Sequence, residues 1–398
     1  MTITKNSLFS RGMIAVLIAQ FVSALADNAL LFAAIALLKS QSAADWQIPL
    51  LQEFFVLAFI LLAPFVGPFA DGFAKGRVML TANCIKLFGA LAMFLQVPPL
   101  LAYGMVGIGA AAYSPAKYGI LSELVTPAKL VKANGLIEGS TIVAILLGAV
   151  LGGKLADIST HIALASVCAC YLLAAIANLF IPKLPVARPD TKLQPGKLIK
   201  EFLTAFKTLF FNQDARFSLI GTSIFWGTGS TLRLILVAWV PIALSINDLS
   251  MPANLSGAVA IGIAVGAALA ANLVSLKNIN RVLPAGLLIG VLIMLFAHAS
   301  SLIIAGILLI LIGAAGGFYV VPLNALLQER GHETVGAGNA VAVQNFFENF
   351  CMLTLVGIYI VMQKNNMSVI SITFIFGSII LFSIGVLSIK RLRQSPHT

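Results

Sequence analysis

Charge is what this chain has least of. Only 10% of its 398 residues are Asp, Glu, Lys or Arg, 60% are hydrophobic, and the acidic residues number just 14. So few charges cannot cover a water-exposed surface, which excludes a soluble globular domain. Cysteine and histidine are equally sparse, with four of each. Cys84, Cys168, Cys170 and Cys351 stand in apolar runs, where a small hydrophobe is the ordinary role, and Cys168 and Cys170 point to different helix faces. His161, His298, His332 and His397 lie at run ends or in tails without the HExxH spacing of a zinc site, and no Walker-type phosphate loop occurs. Zinc-hydrolase and direct ATP-hydrolysing chemistry therefore have no sequence support.

What is abundant is apolar length. Runs of about twenty residues, enough to cross roughly 30 Å of hydrocarbon as helices, recur throughout. Twelve are read, at 13–38, 48–70, 78–96, 98–121, 133–156, 161–181, 216–244, 253–276, 283–299, 301–327, 336–362 and 367–389. The first follows a short basic stretch as a signal peptide would, but it is too long for such a segment and more spans follow directly, so it is expected to remain. The fold class is an all-α integral membrane protein.

Lys and Arg set the orientation. One set of alternate connections holds only Lys39, Lys154 and Lys364; Lys86, Lys117 and Arg233 lie inside spans, and the rest of the 25 basic residues fall on the opposite side. Cytoplasmic loops retain basic residues, so both termini are expected in the cytoplasm of a bacterial inner membrane. Topology and attraction to anionic membrane lipids account for the net charge of +11, and no nucleic-acid partner is implied.

The longest polar connection divides six spans from six, giving an N-terminal bundle at 1–181, a linker at 182–215 and a C-terminal bundle at 216–398. Within the linker, Leu198, Ile199, Phe202, Leu203, Phe206, Leu209 and Phe210 share one helical face opposite Lys197, Lys200, Glu201, Thr204 and Lys207. That pattern suits a helix lying on the membrane surface; a plain tether is the alternative. The halves also echo each other: "GAAAYSPAKYGILSELVTPAKLVKANG" parallels "GAAGGFYVVPLNALLQERGHETVGAGNA", with Pro115 opposite Pro322, Lys117 opposite Asn324 and Asn134 near Asn339. Twelve transmembrane helices in two pseudo-symmetric six-helix bundles is the plan of the major facilitator fold, with its cavity between the halves.

Charges inside the spans are the candidate site. A charge at mid-membrane costs about 2.5 to 3.5 kcal/mol on insertion scales, so it is seldom kept without a use. Asp27 and Asn28 lie in the first span, and the internal echo puts Arg233 of the seventh opposite Asp27. The two could form an ion pair that docks the halves, or each could hold one end of a zwitterionic ligand, Arg233 suiting phosphate through its two-pronged guanidinium. Lys117, Glu138 and Glu348 are gate or headgroup residues, or structural pairs. Glu53 and Lys86 are expected to reach for the nearer surface. Phe21, Phe32, Phe225, Trp226 and Trp239 offer an apolar lining for an acyl chain, though core or lipid packing is the commoner fate.

The loop "GPFADGFAKGR" partly matches the superfamily's Gly, acid, Gly, basic signature and nominates Asp71, Lys75 and Arg77 as gating residues. Its counterpart "NLVSLKNINR" contains no acid, so a cytoplasmic charge lock is expected in the first half only. Glu329 and Arg330 end the tenth span, either solvated or bridged to a neighbouring loop. Gly148 with Gly152, Gly262 with Gly266 and Gly313 with Gly317 are expected at close helix contacts.

Several long segments in one order, among them "SALADNALLFAAIALLKSQ", "APFVGPFADGFAKGRVM", "AAAYSPAKYGILSEL", "STLRLILVAWVPIAL" and "VPLNALLQERG", resemble the bacterial lysophospholipid transporter family of the major facilitator superfamily. The resemblance implies a flippase, and not an enzyme, that brings lysophosphatidylethanolamine and lysophosphatidylglycerol from the outer to the inner leaflet by alternating access. It also implies a functional partner, an acyltransferase and acyl-carrier-protein synthetase that reacylates the imported lipid. The rival is a proton-coupled exporter of small amphipathic compounds. No cofactor is expected; sodium coupling at Asp27 and Asn28 stays open, and the chain is expected to act as a monomer.

Overall fold

The computed structural model describes residues 9–125, 127–184 and 194–394. Its helices are α1 (Arg11–Ser40), α2 (Leu50–Gly72), α3 (Lys75–Phe94), α4 (Pro99–Gly119), α5 (Leu121–Leu124), α6 (Pro127–Ile158), α7 (Thr160–Leu179), α8 (Pro195–Phe211), α9 (Gln213–Leu244), α10 (Ser250–Leu273), α11 (Leu283–Phe296), α12 (Leu302–Thr334), α13 (Ala337–Lys364) and α14 (Val369–Gln394). No strand occurs among the described residues. Among the described residues, eleven helical segments are long and apolar enough to span a membrane. The twelfth expected span is α4, whose 21 residues give about 31 Å at 1.5 Å per residue.

Helix ends fall where side chains satisfy the first backbone N–H groups. Ser10, Asn212 and Ser301 cap α1, α9 and α12 by accepting from Met13, Ala215 and Ile304. Between α12 and α13 the chain turns at Gly336 with φ +84°, a conformation that costs a glycine little. Several expected limits shift: α3 begins at Lys75 and α6 at Pro127, so residues assigned to loops lie in first turns, and a 3₁₀ segment, Leu276–Val282, leads into α11.

Two compact units divide the chain, one of residues 1–42 and 54–204, the other of 43–53 and 205–398. Their internal pairings correspond. In the first unit α1 packs on α6 and α7, and α3 on α7; in the second α9 packs on α13 and α14, and α11 on α14. Pro115 and Pro322 lie inside α4 and α12, the fourth long helix of each half. Left-handed Ser42 (φ 56°) and Ser245 (φ 57°) follow α1 and α9.

Glycines set the closest helix contacts, as their spacing predicts. Lipid tails are as apolar as Leu, so helix association in a bilayer relies on close packing where side chains are smallest. A Cβ on Gly148 would sit 2.5 Å from the Leu25 carbonyl oxygen, and one on Gly152 would lie 2.6 Å from the Ala29 Cα, locking α6 to α1. In the second unit, Gly262 and Gly266 face α12 while Gly313 and Gly317 face α10; a Cβ at any of the four would overlap a backbone carbonyl oxygen of the opposite helix.

The amphipathic segment is indeed a helix, α8, but part of its apolar face meets protein. Phe206 stacks on Phe347 of α13 with ring centroids 4.9 Å apart, and Phe210 stacks on the same ring at 5.9 Å. Leu198, Phe202 and Leu209 are buried, while Ile199, Leu203 and Phe211 are exposed and form a narrower apolar edge. Of the expected apolar face, Phe206 and Phe210 thus meet α13, which supplies aromatic partners that periodicity alone cannot reveal.

Candidate functional site

A polar ladder runs through the first unit along one face of α1. Gln20, Ser23 and Asp27 recur at spacings that stack side chains on a helix. Gln20 donates to the Thr141 hydroxyl of α6 at 2.6 Å. Ser23 donates to Asn83 Oδ1 of α3 at 2.7 Å. At the last rung, Lys86 Nζ of α3 donates to Asp27 Oδ2 at 2.7 Å and to Ser23 Oγ at 3.1 Å. The other carboxylate oxygen, Asp27 Oδ1, accepts from the Tyr171 hydroxyl of α7 at 2.8 Å. Lys86 Nζ also lies 4.9 Å from the Tyr113 ring centre and 5.9 Å from that of Tyr171, distances at which an aromatic face attracts a cation.

This arrangement corrects two expectations. Lys86 does not reach for the surface; it is 1% exposed and enclosed by α1, α3, α4 and α7. Asp27 has its counter-charge inside its own half, so Arg233 is not needed to neutralise it. A signal was available in the sequence. Counted from the first residue of each helix, Asp27 lies about 24 Å along α1 and Lys86 about 17 Å along α3 at 1.5 Å per residue, comparable positions for opposite charges. Asn28 donates to its own helix at Ala24 O, at 2.8 Å, and its Cβ faces Gly148.

In the second unit, Arg233 is half-buried on α9 between core residues Leu232 and Leu234. Glu348 of α13, 7% exposed, accepts at Oε1 from Gln344 Nε2 at 2.8 Å, and the same amide nitrogen donates to Asn324 Oδ1 of α12 at 2.8 Å. Asn324, the counterpart of Lys117, thus joins the Glu348 network. Lys117 lies over the Tyr118 ring at 4.3 Å in the first unit. Glu138 lies outside the described side chains. Hydroxyls of α9 turn inward on their own helix: Ser223, Thr228 and Thr231 donate to the carbonyls four residues back.

The aromatic candidates separate by environment. Trp226 is 40% exposed and meets Phe225 edge-on at 5.4 Å. Trp239 is fully buried against Phe296 at 4.6 Å, and Phe32 is fully buried in the first unit; both are core residues, which corrects their assignment to an acyl-chain lining. Phe21 is half-buried on α1.

Each unit also carries ion pairs at its helix ends. Lys75, the first residue of α3, is buried and bonds Glu123 Oε1 at 2.5 Å while its stem covers Gly119. Arg77 is exposed, and the side chain of Asp71 lies outside the described residues. The second unit carries its own cluster, against the expectation of a charge lock in the first half alone. Asp214, at the start of α9, accepts from Arg391 Nη1 at 2.6 Å and from Arg330 Nε at 3.0 Å. Arg391 also donates to Asn280 Oδ1 at 3.2 Å, and Arg330 to Glu333 at 2.8 Å. The acid of this cluster, Asp214, comes from α9 and not from the loop, and loop-by-loop reading missed it. Glu329 is exposed.

A sequence profile of the Major Facilitator Superfamily matches residues 16–354. The lysophospholipid transporter LplT of Shigella boydii serotype 4 (strain Sb227) is 54% identical over 391 residues, 98% of either chain, and the LplT of Escherichia coli (strain K12 / DH10B) matches with the same figures. Among solved structures, the nucleoside transporter NupG superposes with a TM-score of 0.73 at 14% identity, over 97% of this chain and 99% of that one. A bacterial homologue of the human lysosomal transporter Spinster gives 0.69 at 15% identity, over 97% and 98%. At such low identity these two structures speak to the fold alone. By profile, identity and coverage, this multi-pass membrane protein belongs to the major facilitator superfamily and, within it, to the lysophospholipid transporter family.

Proposed function

We propose that the protein is a lysophospholipid flippase of the bacterial inner membrane, with both termini cytoplasmic, moving lysophosphatidylethanolamine and lysophosphatidylglycerol from the outer to the inner leaflet by alternating access. The observation that carries the reading is the 54% identity over 98% of the chain to lysophospholipid transporters. The geometry supports it with a headgroup-sized polar cluster, Asp27, Lys86 and Tyr171, set in otherwise apolar helices. Arg233 takes the phosphate in this reading, and Asp27 accepts from the ethanolamine or glycerol end. The lipid leaves chemically unchanged, and a separate acyltransferase and acyl-carrier-protein synthetase restores its second chain.

The rival, a proton-coupled exporter, needs a carboxyl group free to exchange a proton. Both Asp27 oxygens already accept hydrogen bonds from protein groups, one of them the Lys86 ammonium, so this carboxylate is engaged within its own unit. A headgroup survey in proteoliposomes tests the proposal: both lysolipids should cross unaltered and indifferently to sodium or proton gradients. Gradient-driven efflux of small amphipathic cations, with no lysolipid flux, would establish the exporter.

A further inference from the structure

We infer that Lys86 is a specificity-determining residue: it cancels the charge of Asp27 from behind, so that the first unit offers the ligand a neutral acceptor and tolerates zwitterionic and anionic headgroups alike. The inference rests on the lysolipid reading above and gives Lys86, a member of that polar cluster, a role in headgroup choice.

The argument begins with an asymmetry across the pair. The Lys86 side chain is 2% exposed, whereas that of Asp27 is 23% exposed. The ammonium is thus sealed among Asp27, Ser23, Tyr113 and Tyr171, while the carboxylate keeps one edge open to an incoming group. A buried lysine is costly unless paired, and here a carboxylate, a hydroxyl and an aromatic face surround Nζ. The consequence falls on the ligand. Oxygens already sharing one positive charge still have lone pairs for an ammonium or a hydroxyl, but the net field they project is close to zero. Without Lys86, the same opening would present a full negative charge, attracting an amine and repelling an anionic headgroup. Among the described residues, the ionisable groups facing Asp27 are Lys86 of α3, Tyr113 of α4 and Tyr171 of α7, with Tyr103 and Cys168 beyond Tyr171, and Lys86 is the cation among these.

The test is the ratio of lysophosphatidylethanolamine to lysophosphatidylglycerol flux in proteoliposomes, with wild type as the reference. Lys86→Gln should raise the ratio by about fivefold, the effect of one charge contact in a partly solvated site. Lys86→Arg and the double variant Asp27→Asn/Lys86→Gln should both keep the wild-type ratio, and a merely structural lysine would lower both fluxes without changing their ratio. An unchanged ratio in Lys86→Gln overturns the inference. A second readout does not depend on transport: thermal stabilisation of the detergent-solubilised protein by a cationic against an anionic amphiphile should be alike in wild type and the double variant and should shift towards the cationic one in Lys86→Gln. Absence of that shift also overturns it. If wild type moves neither lysolipid, the functional reading fails, while the amphiphile preference still decides whether Lys86 cancels the charge of Asp27.

Discussion

Asp214 and Arg391, separated by 177 positions in sequence, meet at 2.6 Å where α9 begins and α14 ends. Arg330 approaches the other carboxylate oxygen at 3.0 Å, so one acid gathers two guanidinium groups from α12 and α14. The side chains are 13–33% exposed, and charge-assisted bonds of this kind contribute about 1.5 to 3 kcal/mol, less where water reaches them. Asp214→Ala should lower the thermal midpoint in detergent, and Arg391→Ala should cost less in that background than in wild type. Additive losses in the double-mutant cycle would show that the contact carries no coupling.

The Asp27–Lys86 pair should be more sensitive to losing one member than both. Asp27→Asn leaves a 1%-exposed ammonium facing an amide, and breaking a buried pair costs about 3 to 5 kcal/mol in soluble proteins. The double variant Asp27→Asn/Lys86→Gln should therefore unfold at a higher temperature than Asp27→Asn alone. Equal or lower stability of the double variant would contradict a coupled pair.

Arg233→Lys should impair lysolipid flux strongly while membrane insertion remains normal, because an ammonium cannot reproduce the paired hydrogen bonds of a guanidinium to phosphate. If Asp27 contacts the amine, Asp27→Asn should harm the ethanolamine lipid more than the glycerol one. Wild-type flux in Arg233→Lys would remove Arg233 from headgroup binding.

Two glycines on α12 make a matched comparison. Gly317→Leu should destabilise the second unit by at least about 1 to 3 kcal/mol, since its side chain must displace the backbone of α10. Gly306→Ala, where no atom stands within 4 Å of the new Cβ, should leave the melting curve unchanged. Equal effects from both would place the α10–α12 contact elsewhere.

On α8, Phe206→Ala and Phe347→Ala should be strongly non-additive in stability because each removes the same 4.9 Å stack. Leu203→Cys, on the exposed edge, should resist a water-soluble thiol reagent in membranes and react in detergent-free peptide. Full reactivity in membranes would count against lipid covering that edge.

Much of this protein follows from its order of residues without coordinates. Twelve apolar lengths, the basic-residue asymmetry and the internal echo around Pro115 and Pro322 specify a two-part helical membrane fold, because a bilayer permits few other ways to satisfy a backbone. Gly262, Gly266, Gly313 and Gly317 likewise announce a close helix contact, since helical spacing puts each pair on one face. Partner choice is different. The internal echo offered Arg233 as the counter-charge of Asp27, and no periodicity states which helix lies beside α1. Packing of α3 and α7 against α1 placed Lys86 and Tyr171 on its carboxylate, just as packing of α13 turned Phe206 from a lipid-facing residue into a stacked one. Asp214 shows the same limit: its loop-by-loop context predicts nothing, and only the meeting of α9, α12 and α14 gives its charge a purpose. Segment length and face are local properties that the chain carries in its order; which charges neutralise each other is a distance in space, and the tertiary structure alone sets it.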